Sequence, residues 1–321
     1  MTRFSQEILE NWQIRKTRRQ KQAFRKRLTD KLAAEGYPVF EERHGLTGGT
    51  VNVVVGDVDQ ADVIFTAHYD TCAVLPFPNF ITPRNLFFYV LYQLLIVLVL
   101  IMLSIGIQQL IFLLTKDAGA SFFAYLTALL LFCLLILFGP PNRHTCNDNT
   151  SGVITLTEAI LRIPPEEFAG RKTAFVFFDL EEAGMLGSCA FRRRHKKALR
   201  KKAVINFDCV SDGDHLLFAV NRRLAADLPL LEAFTEALPA GDEKETIFCS
   251  ASSVFYPSDQ MGFKKHAAVA AFRKSRILGL YMSRIHTPRD TVLDEKNIAL
   301  LCGFILRLTQ KCSTLKSDTE V

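Results

Sequence analysis

The chain has 321 residues, of which 49% are hydrophobic and 22% charged, and its formal net charge is +6. A chain of this length forms one large domain or two smaller ones, and its apolar content excludes a disordered or fibrous protein. The mean hydropathy of +0.15 is high for one soluble domain with ordinary charge. The apolar residues are therefore expected to be concentrated in one part of the chain.

The N-terminal segment is strongly basic. Ten of its first 31 residues are Lys or Arg, and three are Asp or Glu. It has neither the early apolar core nor the small-residue cleavage site of a signal peptide. We predict a basic helix over residues 1–35.

Two long uncharged runs follow, at 85–115 and 118–142, with the linker KDAGAS between them. Each exceeds the ~20 apolar residues that a transmembrane helix needs, and neither has the polar stripe of a buried soluble helix. The sequence therefore predicts a transmembrane helical hairpin over 84–140. A hairpin buried in a protein core, or a lid, is the alternative.

A second basic run, RRRHKKALRKK at 192–202, has eight Lys or Arg and no acidic residue. Basic runs are usually solvated faces, and nucleic acid is the usual partner of those that bind one. Beside two membrane spans, contact of the basic segments with anionic lipid on the cytoplasmic leaflet is favoured. The expected partners thus include a lipid bilayer and exclude nucleic acid.

The remaining chain alternates short apolar runs with helical stretches, which predicts an α/β fold with a mostly parallel central sheet flanked by helices. This domain would be discontinuous, at 36–83 and 141–321. The predicted helices are Gly152–Ile163, Leu228–Leu238 and Leu293–Lys311. The predicted strands are Val51–Val55, Val63–Ala67, Ala174–Phe178, Ala203–Phe207, Leu216–Val220 and Ala267–Phe272.

Polar residues follow several of these strands, and the carboxyl ends of parallel strands meet at one sheet edge. A single His is usually a satisfied core residue, and a single Asp before a helix is usually an N-cap. Together, however, so many carboxylates at one edge would repel one another unless cations neutralise them. Histidines with carboxylates suit Zn²⁺, with Mn²⁺ or Co²⁺ possible. The candidates are His68, Asp70, Asp148, Glu181, Glu182, Asp208 and His286.

Six segments in order carry a family resemblance: FTAHYDTCAV, NDNTSGVITLTE, FVFFDLEEAGMLGS, NFDCVSD, PSDQMGF and IHTPRDT. They resemble the motif blocks of the M28 family of zinc aminopeptidases, which have a co-catalytic dizinc site. The resemblance spans residues 65 to 291, apart from the hairpin. It implies a zinc-exopeptidase-like fold, two bound Zn²⁺ and a peptide substrate.

The resemblance also implies a role for each candidate. Asp148 would bridge two zinc ions, Asp70 would orient His68, and Glu181 would be the general base and then the general acid. The ligands of the first zinc would be completed by His68 and Asp208, and those of the second by Glu182 and His286.

One position departs from the family pattern. Secreted members often have a Tyr immediately before the last His, where it helps to hold the oxyanion, and this chain has Ile285. Tyr281, Tyr256 and Asp259 are the candidates for an oxyanion or substrate contact in its place.

The insertion constrains the topology. If His68 and Asp148 bind the same metal pair, both ends of the insertion lie on one side of the membrane, so the number of spans is even. Arg84 and Arg143 flank the outer ends of the hairpin, and the linker carries only Lys116 and Asp117. The positive-inside rule then predicts a cell-membrane protein whose catalytic domain faces the cytoplasm.

The apolar runs predict a membrane anchor, and the family resemblance implies a dizinc metallopeptidase, specifically an aminopeptidase, that uses a metal-bridged water and a Glu general base. One alternative is a non-catalytic membrane scaffold of the same fold. A second is a metal-dependent amidase or cyclase, although the intact dizinc set favours hydrolysis. The hairpin is either a simple tether or a part of the substrate's route to the site.

Overall fold

The computed structural model of the chain describes residues 1–45, 49–241 and 244–314. A nine-stranded sheet runs through the domain in the order β1-β2-β4-β3-β5-β8-β6-β7, with β9 paired to β8. Its strands are β1 (Val39–His44), β2 (Thr50–Val55), β3 (Val63–His68), β4 (Thr173–Phe178), β5 (Ala203–Phe207), β6 (His215–Val220), β7 (Glu245–Ser250), β8 (Lys265–Ser275) and β9 (Gly279–Tyr281).

The sheet is mixed, and its four central strands β4, β3, β5 and β8 are parallel. The pairs β1–β2, β2–β4 and β6–β8 are antiparallel. Strands β2, β3, β4 and β5 are buried along their whole length, as expected of strands covered on both faces. This confirms the predicted α/β class with a flanked central sheet.

Helices cover both faces of the sheet. They are α1 (Arg3–Asn11), α2 (Arg18–Ala34), α3 (Leu86–Thr115), α4 (Ala118–Phe138), α5 (Gly152–Ile160), α6 (Pro165–Phe168), α7 (Leu186–Arg194), α8 (Arg222–Ala225), α9 (Leu228–Ala237) and α10 (Glu295–Thr314). Residues of α1, α2, α5, α9 and α10 share one hydrophobic cluster with the sheet. On the opposite face, Phe191 of α7 packs with Val54, Ile64 and Phe178.

The N-terminal segment forms two helices where one was predicted, because the chain leaves the helical path between α1 and α2 to bury Arg15. Arg15 is fully buried, and its guanidinium donates to the main-chain carbonyls of Trp12 and Tyr69. Phe4 of α1 and Leu28 of α2 belong to the main hydrophobic cluster. Part of the N-terminal basic charge is therefore internal.

A buried ion pair fixes α2 to the sheet. Lys21 Nζ lies 2.6 Å from Asp179 Oδ1, and the two residues are 6% and 1% exposed. Burial raises the pKa of Asp179, and Lys21 opposes this rise. Lys21→Met would leave the Asp179 carboxylate without its cation, and should lower the free energy of unfolding by about 3–5 kcal/mol.

Thermal and denaturant unfolding of the purified chain would measure this loss. Lys26→Met in the same helix is the matched control, because Lys26 pairs with Asp30 in a solvent-exposed (i, i+4) pair. Its loss should cost less than about 1 kcal/mol. Equal effects of the two substitutions would contradict a structural role for the Lys21–Asp179 pair.

Helices α3 and α4 form an antiparallel hairpin that carries exposed apolar side chains on its outer surface. The small residues Ser104, Ser121 and Ala128 are buried between the helices, where they allow close packing. Both serine hydroxyls donate to carbonyls of their own helix. By length and composition both helices could cross a membrane.

The two ends of the hairpin are tied together at its base. Ala73 and Pro141 form an antiparallel bridge, and Val74 N donates to Pro140 O at 2.9 Å. The base lies beside the edge at which the parallel strands end, because Leu75 N donates to His286 O at 2.7 Å. The chain therefore leaves and re-enters the domain at the edge that carries the candidate site.

The second basic run lies at the opposite edge of the sheet, where the parallel strands begin. Lys202 immediately precedes β5, and its ammonium donates to the main-chain carbonyl of Asp59, in the turn before β3. A membrane that held the hairpin would face the other edge. The expectation that residues 192–202 contact the same bilayer is therefore not supported by the fold.

Candidate metal centre

The candidate residues meet where β3, β4 and β5 end. His68 is the last residue of β3, and Asp208 follows the last residue of β5. Glu181 and Glu182 lie in the loop after β4, and Asp148 precedes α5. The topology of the parallel strands thus collects residues that are up to 140 positions apart in the sequence.

One group of three ligand-type side chains is completely buried. His68 Nε2 lies 3.3 Å from Asp148 Oδ1 and 3.4 Å from Asp208 Oδ1. The three residues are 1%, 4% and 6% exposed. Their nitrogen and oxygen atoms all lie within 4.8 Å of one another, as a shared cation requires.

The other oxygen of Asp148 faces a second group. His286 Nε2 lies 2.9 Å from Asp148 Oδ2 and 3.3 Å from Glu182 Oε2. Cys72 had no predicted role, and its Sγ lies within 4.8 Å of the ligand atoms of Glu182 and His286. A single carboxylate, that of Asp148, therefore stands between two His–carboxylate pairs.

Two buried atoms in this cluster lack a hydrogen bond. Among the residues that the structure describes, His68 Nε2 and Glu182 Oε1 have no partner of acceptable geometry. An unpaired buried polar atom is costly, and a metal ion at each group would satisfy the unpaired atom of that group. Imidazole nitrogens with carboxylate oxygens are a ligand set of zinc. The residues present therefore fit zinc at this site.

The carboxylates and histidines of the cluster shift one another's pKa. Burial lowers the pKa of His286, but Glu182 and Asp148 outweigh it and raise this pKa to about 9. Burial likewise opposes the charge on His68, yet Asp148, Asp208 and Asp70 raise its pKa well above the usual value. Burial raises the pKa of Asp148, but His286 and His68 bring it well below its usual range. The carboxylates therefore make the cluster attractive to positive charge.

Asp70 holds the histidine and the glutamate loop together. Its Oδ1 accepts a hydrogen bond from Glu181 N at 3.0 Å, and its Oδ2 accepts one from Glu182 N at 3.2 Å. The same Oδ1 lies 3.6 Å from His68 Nδ1. Asp70 therefore positions both strand ends without facing the cluster itself.

Asp70→Asn should weaken zinc binding. An amide presents one acceptor and one donor, so one of the two main-chain N–H groups would lose its acceptor and meet a donor. Loss of such supporting contacts typically costs 10–100-fold in metal affinity. Calorimetric zinc titration would measure this, with Asp57→Asn at an exposed turn as the control. Unchanged zinc affinity would contradict the positioning role.

The adjacent glutamates differ in their contacts. Glu182 Oε2 faces His286, whereas the Glu181 carboxylate makes no hydrogen bond or ion pair with any described residue. Burial raises the pKa of Glu181 well above the usual value, with His68 opposing and Asp259 adding to the rise. One glutamate thus belongs to the cluster, and the other is free to exchange a proton.

Sequence reasoning missed two supports of Asp148. Asp290, within the IHTPRDT segment, accepts hydrogen bonds from Asn147 N at 2.7 Å and from Asp148 N at 3.0 Å. The Asn147 side chain in turn accepts from the main-chain amides of Ser211 and Asp212. The neighbouring motifs contained these residues, but nothing in their spacing indicated the contacts.

Arg15 is a third residue that the sequence did not indicate. Burial lowers the pKa of its guanidinium to about 10, and the nearby Asp70 and Asp148 carboxylates oppose this change. Its Nη1 also donates to the Thr150 hydroxyl, two residues after Asp148, at 3.1 Å. An N-terminal arginine thus lies behind the cluster and contributes positive charge to it.

The candidates for an oxyanion or substrate contact are placed differently. Tyr256 OH donates to the main-chain carbonyl of Asp208 at 3.1 Å, so its hydroxyl lies close to the first group. The Tyr281 hydroxyl, in β9, makes no hydrogen bond with the described residues. Ile285 is buried in an apolar cluster and offers no donor.

Asp259 is fully buried in the same region, and burial raises its pKa to about 7. Neither carboxylate oxygen receives a well-formed hydrogen bond from the described residues, although the Ser188 hydroxyl favours its charged form. His68 also favours the charged form of Asp259. Asp259 is therefore coupled electrostatically to the cluster.

A cavity of about 630 Å³ opens at the second group and is lined by Glu182 and His286. One wall is Ile136–Phe138, the last turn of α4. Lys16 also lines the cavity, and its ammonium donates to Leu137 O at 2.9 Å. The base of the hairpin thus forms part of the entrance to the site.

Solved structures share this fold. A Zn-dependent exopeptidase from Parabacteroides distasonis has a TM-score of 0.58 at 14% identity, with 95% of this chain and 96% of that chain covered. The Legionella pneumophila LapA aminopeptidase has a TM-score of 0.55 at 12% identity, with 97% and 68% covered. Porphyromonas gingivalis glutaminyl cyclase has a TM-score of 0.55 at 16% identity, with 99% and 96% covered.

The sequence itself matches a family model but no curated protein. The model, described as Peptidase family M28, matches residues 137–300, about half of the chain. The matched stretch contains Asp148, Glu181, Glu182, Asp208 and His286, while His68 and Asp70 precede it. The chain belongs to peptidase family M28.

Proposed function

We propose that this protein is a dizinc metallopeptidase that removes N-terminal residues from peptides. The observation that carries the proposal is the Asp148 carboxylate, with one oxygen facing His68 and the other facing His286. Each histidine has its own further carboxylate, Asp208 or Glu182. Two complete ligand groups that share one bridging carboxylate are suited to a pair of metal ions and exceed what a single ion needs.

The chain's own residues divide the chemistry. Zinc, when bound, supplies Lewis acidity that lowers the pKa of water and polarises the scissile carbonyl. Glu181 accepts the proton of the attacking water and passes it to the leaving amine, because its carboxylate is close to the cluster and otherwise unengaged. Asp70 fixes the main chain of Glu181, so the base is held at a constant position.

Tyr256 is the better candidate for the oxyanion contact that Ile285 lacks. Its hydroxyl already lies beside Asp208, whereas Tyr281 has no contact with the cluster among the described residues. In the proposed reaction this hydroxyl would exchange the Asp208 carbonyl for the carbonyl oxygen of the substrate. The hydroxyl would then donate to the developing negative charge.

A panel of aminoacyl-p-nitroanilides, assayed with and without a chelator, tests the proposal together with zinc content by elemental analysis. We expect release of p-nitroaniline that the chelator abolishes and zinc restores, with about two zinc ions per chain. A chain that binds no zinc and turns over no substrate would instead be a scaffold of the same fold.

Cyclisation is the second activity to be tested, because glutaminyl cyclases share the fold at the same level of similarity as an aminopeptidase. A peptide that begins with glutamine distinguishes the two reactions by mass. Hydrolysis releases glutamine and adds water, whereas cyclisation releases ammonia. Ammonia without free glutamine would overturn the peptidase assignment.

We further propose that α3 and α4 are an inserted membrane anchor over residues 84–140, with the peptidase domain facing the cytoplasm. At 1.5 Å per residue, α3 spans about 45 Å and α4 about 32 Å, against a hydrocarbon core of about 30 Å. Their outer surfaces are apolar, and in an aqueous setting such a patch would be a site of aggregation. Arg84 and Arg143 flank the hairpin base.

Alkaline carbonate extraction of cell membranes tests the anchor, and an epitope inserted after Lys116 tests its orientation. We expect the protein to stay in the membrane pellet and the epitope to be reached by antibody from outside intact cells. An epitope at the C-terminus should be reached only after permeabilisation. Extraction into the carbonate supernatant would contradict the anchor.

A further inference from the structure

The basic run at 192–202 takes no part in the metal centre, and it surrounds a separate cavity of about 280 Å³. We propose that this cavity binds a small phosphorylated molecule that carries at least two phosphoryl groups. Five cationic side chains line it: Arg192, Arg193, Lys196, Arg200 and Lys264.

The cavity is far from the site already described. Ala203 pairs with Lys265 at the start of the parallel strands β5 and β8, and Lys264 immediately precedes this pair. The candidate metal cluster lies where β3 and β5 end, so the five residues of β5, about 17 Å, separate the two regions. A ligand here is therefore distinct from the peptide substrate.

The five cations lack acidic partners. None has a carboxylate within 4.0 Å among residues 1–45, 49–241 and 244–314, whereas the adjacent Arg194 reaches Glu42 at 3.6 Å. Like charges around one concave surface repel one another and focus a positive potential into the cavity. An anion in the cavity would relieve that repulsion, and Arg and Lys are the side chains that bind phosphate best.

The floor of the cavity is apolar and rigid. Leu199 and Phe263 form it, and each is 5% exposed. Phe263 stacks on Phe178 and packs against Phe191, so its position is fixed by the core. An apolar floor beneath a ring of cations suits an organic phosphate ester, whose carbon skeleton would contact the floor.

Gly262 sets the position of one cation. Its φ is +91°, and a Cβ built at this position would lie 1.7 Å from Arg192 Nη1. Only glycine therefore lets the Arg192 guanidinium lie against the main chain at the cavity rim. The substitution Gly262→Ala would displace Arg192 without removing any charge.

The shape and the charge together select the ligand class. A monophosphate carries at most two negative charges and would leave most of the five cations unneutralised. A bilayer surface is flat, and the hairpin enters any membrane at the opposite sheet edge. A compact molecule with a diphosphate group fits a small cavity with this charge best.

Isothermal titration of the full chain in zwitterionic-lipid nanodiscs, at physiological ionic strength, tests the proposal. The probes are inorganic pyrophosphate and ADP, with inorganic phosphate and sulfate as controls. We expect pyrophosphate and ADP to bind at least tenfold more tightly than phosphate or sulfate.

The variant Lys196→Ala/Arg200→Ala should weaken pyrophosphate binding at least tenfold. The matched control Arg222→Ala/Arg223→Ala, which removes two exposed cations from α8, should leave it unchanged. Gly262→Ala should weaken it severalfold and should also lower the thermal midpoint, because alanine is strained at a φ of +91°. The double variant leaves the main chain unchanged, so its loss of binding at an unchanged thermal midpoint is the deciding result.

Three results would overturn the proposal. The first is equal loss of binding in the α8 control, and the second is the absence of pyrophosphate and ADP binding by the wild type. The third is tighter binding of anionic-lipid vesicles or of duplex DNA than of either probe, which would make the run a surface for a larger polyanion.

Discussion

If the protein holds the two zinc ions that we propose, Asp148→Ala is expected to remove both, whereas Asp208→Ala should remove only one. Asp148 offers one oxygen to the His68 group and the other to the His286 group. Asp208 faces His68 alone. Zinc content after gel filtration should therefore fall from about two ions per chain to near none for the first variant and to about one for the second.

Peptidase activity should fall with the metal. Loss of groups that merely support a ligand costs 10–100-fold, so loss of the bridging carboxylate should reduce kcat/KM by more than about 100-fold. Asp214→Ala, which removes an exposed surface carboxylate, is the control and should keep both zinc ions and full activity. Two retained zinc ions in Asp148→Ala would show that the two groups do not share this carboxylate.

The buried strands of the fold were predictable because strands covered on both faces have short, mostly apolar sequences. Strands β2 to β5 are five or six residues long and mostly apolar, and the structure places each within one residue of its predicted bounds. Strands β1 and β7 were missed because they alternate between exposed and half-buried positions. The sequence VFEERH of β1 contains three charged residues, so it resembles a loop until its partner β2 is known.

The ligand-type residues at the strand ends could also be predicted from the sequence, since each candidate follows a strand or opens a helix. Residues that act through long-range contacts were not visible. Asp290 accepts hydrogen bonds from main-chain amides 142 and 143 positions earlier in the chain, and no local sequence pattern indicates these contacts. Arg15 lies within the predicted basic helix, whose charges were expected to contact anionic lipid, yet its guanidinium donates to carbonyl groups inside the protein.

The base of the hairpin lies at the entrance to the candidate site. The sequence favours a simple tether and leaves a role in substrate access as the alternative. The last turn of α4 lines the cavity at Glu182 and His286, and Lys16 joins that turn to the N-terminal segment. The insertion therefore contributes to the wall of the site as well as to any anchoring.

Glu181→Gln should abolish turnover and leave the metal in place. The Glu181 carboxylate contacts neither histidine, so the amide would keep the shape of the site and lose only the ability to exchange a proton. Loss of a general base typically costs 10²–10⁴-fold in rate. Zinc content should stay at about two ions per chain, because both ligand groups are intact.

Glu182→Gln is the matched comparison, since it makes the same chemical change one residue along the chain. Its carboxylate lies 3.3 Å from His286, so this variant should lose zinc from the second position. Glu181→Asp should keep partial activity, because a carboxylate remains but is withdrawn by one methylene. If Glu181→Gln kept wild-type kcat/KM, or if both glutamine variants lost zinc equally, the division of labour between the two glutamates would be wrong. The two glutamates are neighbours in one loop, and we expect one to transfer protons and the other to bind metal. Measuring zinc content and turnover for both glutamine variants tests this difference.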